Sequence, residues 1–180
     1  MNVDELLSTK ERIRILESVL YKREQIRVST VAHNLEISKG LVSKFFRILT
    51  REKILKRAKN EFMVTDNVNV KALKILLNLH GFDSSIFQKY PFVCAAGLYG
   101  SFVRGENTED SDIDLWVFIE HPSDESLAKL TNELKKRNRN IQPLYLTKEK
   151  LETLKKEDKT FYHSLVFSSI TIYGDKIETI

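Results

Sequence analysis

Along residues 38–53 the apolar positions Val42, Phe45, Phe46 and Leu49 recur at i, i+3, i+4 and i+7, which predicts a helix with one buried stripe, capped by Ser38. Two helices precede it. Ile13, Leu16, Val19 and Leu20 keep helical spacing within residues 8–22, with Ser8 or Thr9 as N-cap. Val31, Ala32 and Leu35 face inward in a second helix capped by Ser29, after a short β-prone Ile26-Arg27-Val28. The break at Glu36-Ile37 is brief. Residues 54–58 and 61–65 read as two strands joined by a turn near Lys59-Asn60, and residues 68–80 as a helix closed by Gly81. Its stripe of Val70, Leu73, Leu76 and Leu77 either packs on the flanking domains or forms a homodimer seam.

The pattern then changes. Ser84 or Ser85 starts a short helix that Pro91 ends, and residues 92–99 are apolar at nearly every position, as in a strand covered on both faces. A helical turn over residues 101–105 and a polar loop over 106–110 lead to a second strand, whose residues 115–119 are again apolar throughout. Ser123 caps a helix to residue 136 that uses Leu127, Leu130 and Leu134. The third strand, residues 140–146, contains Pro143, which cannot donate to a ladder and so implies an edge or a bulge. Thr147 caps a further helix, and a helix over 158–168 and a short strand over 170–175 end the pattern. The expected fold class is α+β, with residues 1–66, a connecting segment 67–90, and a domain 91–180 built on a small mixed sheet.

Composition fits this division. With 42% hydrophobic and 30% charged residues in 180, the chain can form two small cores. Residues 1–80 hold 16 Lys+Arg against 9 Asp+Glu, net +7, while the remaining 100 hold 13 against 16, net −3. The first half therefore suits nucleic acid and the second a cation. Charges at the start, MNVDELLSTKERIRIL, and the lack of any apolar run near ~20 residues lead to the expectation of a cytoplasmic protein with no membrane partner. The single cysteine, Cys94, is expected as a small core residue.

Opposite the apolar stripe of residues 38–53 lie Lys39, Gly40, Ser43, Lys44, Arg47 and Arg51, a small, hydroxylated and basic face that fits the DNA major groove. Lys44 and Arg47 are the expected base readers; Lys56, Arg57 and Lys59 in the hairpin are expected on phosphates. The stretch STVAHNLEISKGLVSKFFRILTREKIL resembles the helix-turn-recognition-helix-wing core of prokaryotic winged-helix DNA-binding domains. The alternatives are a protein or RNA partner, or a solvated structural face.

The chemistry concentrates in AAGLYGSFVRGENTEDSDIDLWVFI, residues 95–119. Asp112 and Asp114, at i and i+2 on a strand, project from one side and can share a cation; Gly100 allows close backbone approach, and amides of the following turn suit a phosphate. Two carboxylates completed by nucleotide phosphate and water suit Mg²⁺, with Mn²⁺ as a substitute. The bland reading is a capping Ser101 and a surface Asp pair.

Gly100-Ser101, Arg104-Gly105 and Ser111-Asp112-Ile113-Asp114 resemble, in order and spacing, the GSxxRGxxxxxSDxD signature of minimal nucleotidyltransferases of the DNA polymerase beta superfamily. The resemblance implies transfer of a nucleoside monophosphate from an NTP, with ATP the expected donor. It places metal and catalysis on Asp112 and Asp114 and the triphosphate on the Gly100-Ser101 turn. Arg104 either neutralises nucleotide charge or pairs with a loop acid. Antitoxin-type members imply a protein side chain as acceptor and a toxin-like partner. One departure stands out: the third strand of active members carries a third carboxylate, and here Gln142 takes that place, an amide that cannot act as a base. Either Asp112 and Asp114 suffice, alone or with Glu106 or Glu109, or the domain is a weak or inactive transferase that senses nucleotide or a partner for a winged-helix transcriptional regulator.

Overall fold

The computed structural model describes residues 1–179; Ile180, the last residue of the expected 91–180 domain, lies outside the described residues. The chain divides into two compact units, Met1–Leu77 with Asn107–Asp110, and Asn78–Glu106 with Ser111–Ile180.

The first unit is helical with one hairpin. A short α1 (Val3–Leu6), not expected from the pattern, precedes α2 (Lys10–Val19), α3 (Val28–Leu35) and α4 (Lys39–Arg51). Thr9, not Ser8, caps α2, its hydroxyl accepting from the Arg12 amide at 3.3 Å. Ser29 is not the cap: α3 begins at Val28, two residues earlier than a Ser29 cap would place it, with Arg27 at the cap and no side-chain cap bond. Ser38 caps α4 as expected, after a turn in which Glu36 takes φ +56.

Val42, Phe45, Phe46 and Leu49 of α4 are fully buried against Ile15, Leu16 and Val19 of α2 and Val31 and Ala32 of α3. Each such side chain contributes about 1.5–3 kcal/mol through removal from water. Strands β1 (Leu55–Ala58) and β2 (Glu61–Val64) pair antiparallel around Lys59-Asn60, where Lys59 adopts φ +57. Ile26 exchanges both backbone hydrogen bonds with Phe62, so the β-prone triplet adds one bridge to the hairpin before Val28 turns helical. The Phe62 ring in turn meets Phe46 edge-on at 4.9 Å.

Helix α5 (Val68–His80) is capped by Asn67, which accepts from the amides of Asn69 and Val70. Its Val70, Leu73 and Leu77 are buried in the first unit's core, while Leu76 is exposed.

The second unit is a four-stranded mixed sheet, order β5-β4-β3-β6, from β3 (Val93–Leu98), β4 (Ile113–Ile119), β5 (Ile141–Leu146) and β6 (Ile170–Gly174). β4 runs antiparallel to β3 and parallel to β5, the parallel step being made by α7 (Asp124–Arg137). β5 is an edge strand, the place Pro143 demands.

One face of the sheet packs Leu98, Leu115 and Val117 against Leu130 and Leu134 of α7 and against Ile86 and Phe87 of a 3₁₀ turn, Ser84–Lys89. That turn starts at Ser84, as expected, and is capped by Asp83, which accepts from the Ser85 amide at 3.0 Å. The other face packs Ala95, Trp116 and Phe118 under α8 (Lys148–Glu157) and α9 (Lys159–Ser168), through Leu151 and Leu165. Cys94 breaks the expectation of a strand buried throughout. The β3 register shifts between Val93 and Ala95, and the shift turns the Cys94 side chain outward, where it is exposed. No helix among the described residues is long and apolar enough to cross a membrane.

Candidate active site

Strand alternation decides what β4 presents. Ile113, Leu115, Val117 and Ile119 bury into the α7 face, so Asp114, Trp116 and Phe118 share the other one. Trp116 and Phe118 lie in the core beneath α8 and α9, whereas Asp114 stands at its margin, half-buried, and Asp112 immediately before the strand is exposed. Burial pushes the Asp114 carboxyl above the usual aspartate range, the Asp112 charge pushes it further, and Arg104 opposes both. The two carboxylates thus sit close enough to repel, which is the arrangement a shared cation relieves.

Gly100 is fixed by two independent constraints. It adopts φ +69 and ψ −145, a region essentially closed to other residues, between the end of β3 and α6 (Ser101–Arg104). A Cβ built there would lie 2.0 Å from Asp114 Oδ2. The glycine therefore makes the sharp turn and also leaves the space that the Asp114 carboxylate occupies. Gly105, at φ +66, closes α6, its amide donating to the Ser101 carbonyl, and the Glu106 amide donates there too at 3.0 Å. Arg104 donates from Nε to Glu106 Oε2 at 2.9 Å, so of its two expected roles the structure displays the ion pair with a loop acid.

Tyr99 was not expected here. Its amide donates to the Asp114 carbonyl at 3.0 Å, and its phenol is pushed above the usual tyrosine range by burial and then by the Asp114 charge. The signal was present in the alternation of Ala95, Gly97 and Tyr99 along β3, but the bulge near Cys94 obscured the phase. Gly97 serves the same face: a Cβ there would lie 2.4 Å from the Trp116 indole.

On the other side of Asp114, the parallel register pairs it with Gln142 of β5, which is exposed. No group of three or more His, Cys, Asp or Glu able to hold a metal exists among the described residues. Glu106 is engaged by Arg104, and Glu109 pairs with Lys22 within the first unit, so neither completes a triad with the Asp pair. Two adjacent carboxylates fit one hard cation.

In the first unit Lys39, Lys44, Arg47 and Arg51 are exposed along α4 and Ser43 is half-buried among them; Lys56, Arg57 and Lys59 are exposed on the hairpin. Arg51 is drawn to Glu5 and Glu52, and Arg57 Nε donates to the Lys59 carbonyl at 3.1 Å. A groove of about 810 Å³ between the start of α4 and the hairpin brings Lys39 and Lys59 together with Arg27, which pairs with Glu61.

The family model described as polymerase beta, nucleotidyltransferase matches residues 84–178. No curated protein matches the chain. A crystal structure of a Sulfolobus solfataricus protein, provisionally described as a nucleotidyltransferase, aligns with 60% of this chain and 85% of its own at 15% identity. Its TM-score of 0.33 is too low to transfer residues from one chain to the other. The family match takes in the whole sheet and both aspartates and covers more than half of the sequence, and the chain belongs to the polymerase beta nucleotidyltransferase family.

Proposed function

We propose that this is a cytoplasmic DNA-binding protein whose second unit binds a nucleoside triphosphate with Mg²⁺ and transfers its nucleoside monophosphate, AMP from ATP, to a hydroxyl acceptor such as a protein side chain. The observation that carries this reading is the seating of the Asp114 carboxylate in the space left by Gly100, next to Asp112. The turn that would hold phosphate and the carboxylates that would hold the cation are thereby one unit.

Asp112 and Asp114 are the ligands for Mg²⁺ or Mn²⁺, which supplies charge neutralisation on the triphosphate when bound. Gly100 and Ser101 let the triphosphate approach the backbone, and Arg104 adds a cation at the end of the turn. The acceptor oxygen bonds to the α-phosphorus as the bond to the α–β bridging oxygen breaks, and pyrophosphate leaves with that electron pair. The acceptor proton passes to solvent, because the Gln142 amide cannot take it.

The first unit is read as a winged helix-turn-helix. Three helices, a hairpin and the Ile26–Phe62 bridge support this, together with the exposed cations of α4. Lys44 and Arg47 read bases, Ser43 stands one turn before Arg47 on the same face, and Lys39, Arg51, Lys56, Arg57 and Lys59 meet phosphates. With five or six phosphates neutralised, log affinity falls against log salt with a slope of about −5.

A second reading is favoured by the Asp114–Gln142 register: a domain without a base senses nucleotide or a toxin-like partner on behalf of the DNA-binding unit. Incubation with α-phosphate-labelled ATP, GTP, CTP and UTP, Mg²⁺ or Mn²⁺ and cell extract separates the two. Transfer that is lost in Asp112→Ala/Asp114→Ala supports the enzyme. Cation-dependent nucleotide binding without any transfer supports the sensor, and transfer retained by the double variant removes both aspartates from the site.

A further inference from the structure

Helix α5 buries Val70, Leu73 and Leu77 at i, i+3 and i+7, and the i+4 and i+8 places of the same stripe hold Lys74 and Asn78, 8% and 6% exposed. A lysine and an asparagine in an apolar stripe cost stability unless both find partners. Their partners are two backbone carbonyls. Lys74 Nζ donates to the Asn107 carbonyl and Asn78 Nδ2 to the Phe102 carbonyl, each at 2.7 Å. Burial pushes the Lys74 amine below the usual lysine range, with Asp66 opposing. Methionine and leucine would suit these two places better, so the polar groups are explained by the bonds they make and not by the core.

The two carbonyls stand on either side of Arg104-Gly105. Helix α6 is four residues long, so its carbonyls must be met largely from outside it. The Ser101 carbonyl accepts from the Gly105 and Glu106 amides, and Asn78 takes the next one, Phe102. Past Gly105 the chain enters the loop that leads to Asp112. Asn107 is itself 3% exposed, and its carbonyl is the one that Lys74 holds. Two residues on, the Glu109 amide donates to the Tyr21 carbonyl at 3.2 Å and the Glu109 carboxylate pairs with Lys22. The Tyr21 ring lies 5.7 Å from Lys74 Nζ, within cation–π range. Residues 107–110 accordingly belong to the first unit, although the turn before them and Asp112 after them belong to the second. Asp114 is held in the sheet by Tyr99 and the Gln142 register. Asp112 precedes the strand, so its place is set by Ile113 on one side and by this loop on the other.

We infer that Lys74 and Asn78 are positioning residues for the nucleotide and cation site: one face of α5 grips the backbone on both sides of Arg104-Gly105 and so fixes the Gly100-Ser101 turn relative to Asp112. Neither side chain touches the reacting atoms. A turn and loop already held in place need not be ordered when the ligand arrives, and the saving appears as affinity. The grip on the backbone stands on the hydrogen bonds; its effect on Mg-ATP binding rests on the transferase reading above.

Lys74→Met and Asn78→Leu, made separately in the full chain, remove one donor each and keep an apolar side chain of similar size. Without ligand, hydrogen exchange is expected to quicken about tenfold at the Glu106 and Glu109 amides in Lys74→Met and at the Gly105 and Glu106 amides in Asn78→Leu. The amides of Ile26, in the hairpin bridge, and Tyr99, bonded to Asp114, keep the parent rate. Mg-ATP affinity is expected to fall about 10–100-fold in both variants, as when other groups that support a ligand site from behind are removed. Lys74→Gln and Asn78→Ser, polar but shorter, replace any variant that circular dichroism shows to be unfolded and carry the same expectations. Parent-like exchange at Glu106 and Glu109 overturns the inference, as does exchange that quickens equally at Ile26 and Tyr99, the mark of a merely structural role. Loosened loop amides with unchanged Mg-ATP affinity overturn it as well. Failure of the transferase reading looks different: the parent itself binds no Mg-ATP while the loop amides still respond, and the positioning role falls although the grip stands.

Discussion

Replacing Gly100 by alanine tests the dual constraint at the turn. The alanine is held at φ +69 and ψ −145, at a cost on the order of 1–3 kcal/mol. Its Cβ also lies 2.0 Å from Asp114 Oδ2, so the carboxylate must leave its rotamer, which adds about 0.5–1.5 kcal/mol. A total of about 1.5–4.5 kcal/mol lowers Tm by roughly 3–18 °C in a chain of this size.

In an Asp114→Ala background the backbone cost remains and the side-chain clash is largely relieved, the nearest surviving atom at position 114 being Cβ at 3.3 Å, which must give by only a few tenths of an ångström. The two substitutions therefore couple by about 0.5–1.5 kcal/mol in a double-mutant cycle. Calorimetry in EDTA reads the cycle, and titration with Mg-ATP reads the site, where displacement of Asp114 is expected to weaken binding at least about tenfold, or 1.4 kcal/mol. Costs that add to within about 0.3 kcal/mol, or an alanine variant with unchanged Tm, would refute the shared geometry of Gly100 and Asp114.

Four further outcomes follow from named contacts. Gly174→Ala places a Cβ 2.0 Å from the Cys94 carbonyl oxygen at φ +68, so β6 must loosen from β3; a loss of about 2–6 kcal/mol and faster amide exchange in β6 are expected, with Mg-ATP binding kept. Ser38→Ala removes the hydroxyl acceptor of the Leu41 amide, which keeps only the Ser38 carbonyl, and costs about 1 kcal/mol in urea unfolding; no loss would mean α4 does not depend on its side-chain cap. Asp114 is raised above its ordinary 3.8 by burial and Asp112, so the unfolded chain ionises first: stability present below pH 3.8 is lost as pH rises through the folded pKa. In EDTA at pH 7, Asp114→Asn is accordingly expected to match or exceed the parent in Tm, with the difference vanishing at low pH. Gln142→Glu puts a carboxylate level with Asp114, and nucleotide label transfer is expected to rise within the roughly 10²–10⁴ that a positioned base supplies; an unchanged rate would show that β5 does not face the acceptor.

The elements most legible in the sequence were those whose signals are local. Val42, Phe45, Phe46 and Leu49 announced α4 because helical periodicity and the Ser38 cap lie within one stretch of chain. Pro143 announced the edge position of β5 because a missing amide restricts where a strand can lie. Ser29 misled because a capping side chain is only one way to begin a helix; the bridge from Ile26 to Phe62, 36 residues away, had already fixed where the strand ends and α3 begins. Cys94 misled because an apolar run does not reveal a bulge, and one shifted residue reverses the face.

The site divides along the same line. Gly100, Ser101, Asp112 and Asp114 were visible as a spacing, but what joins them is tertiary: the carboxylate of Asp114 fills the volume that Gly100 lacks. This contact explains why the fold tolerates a carboxyl that burial and Asp112 both disfavour as an anion. The glycine leaves room for the group, and among the described residues no third carboxylate joins the pair, the residue in register with Asp114 being Gln142. A residue chosen only for stability at position 114 would be uncharged, because its neighbours on that face are Trp116 and Phe118. That charge is a cost to the fold, and on the proposed reading a bound cation would offset it: a ligand that held Asp112 and Asp114 in the folded state alone would stabilise the second unit in proportion to the logarithm of its concentration.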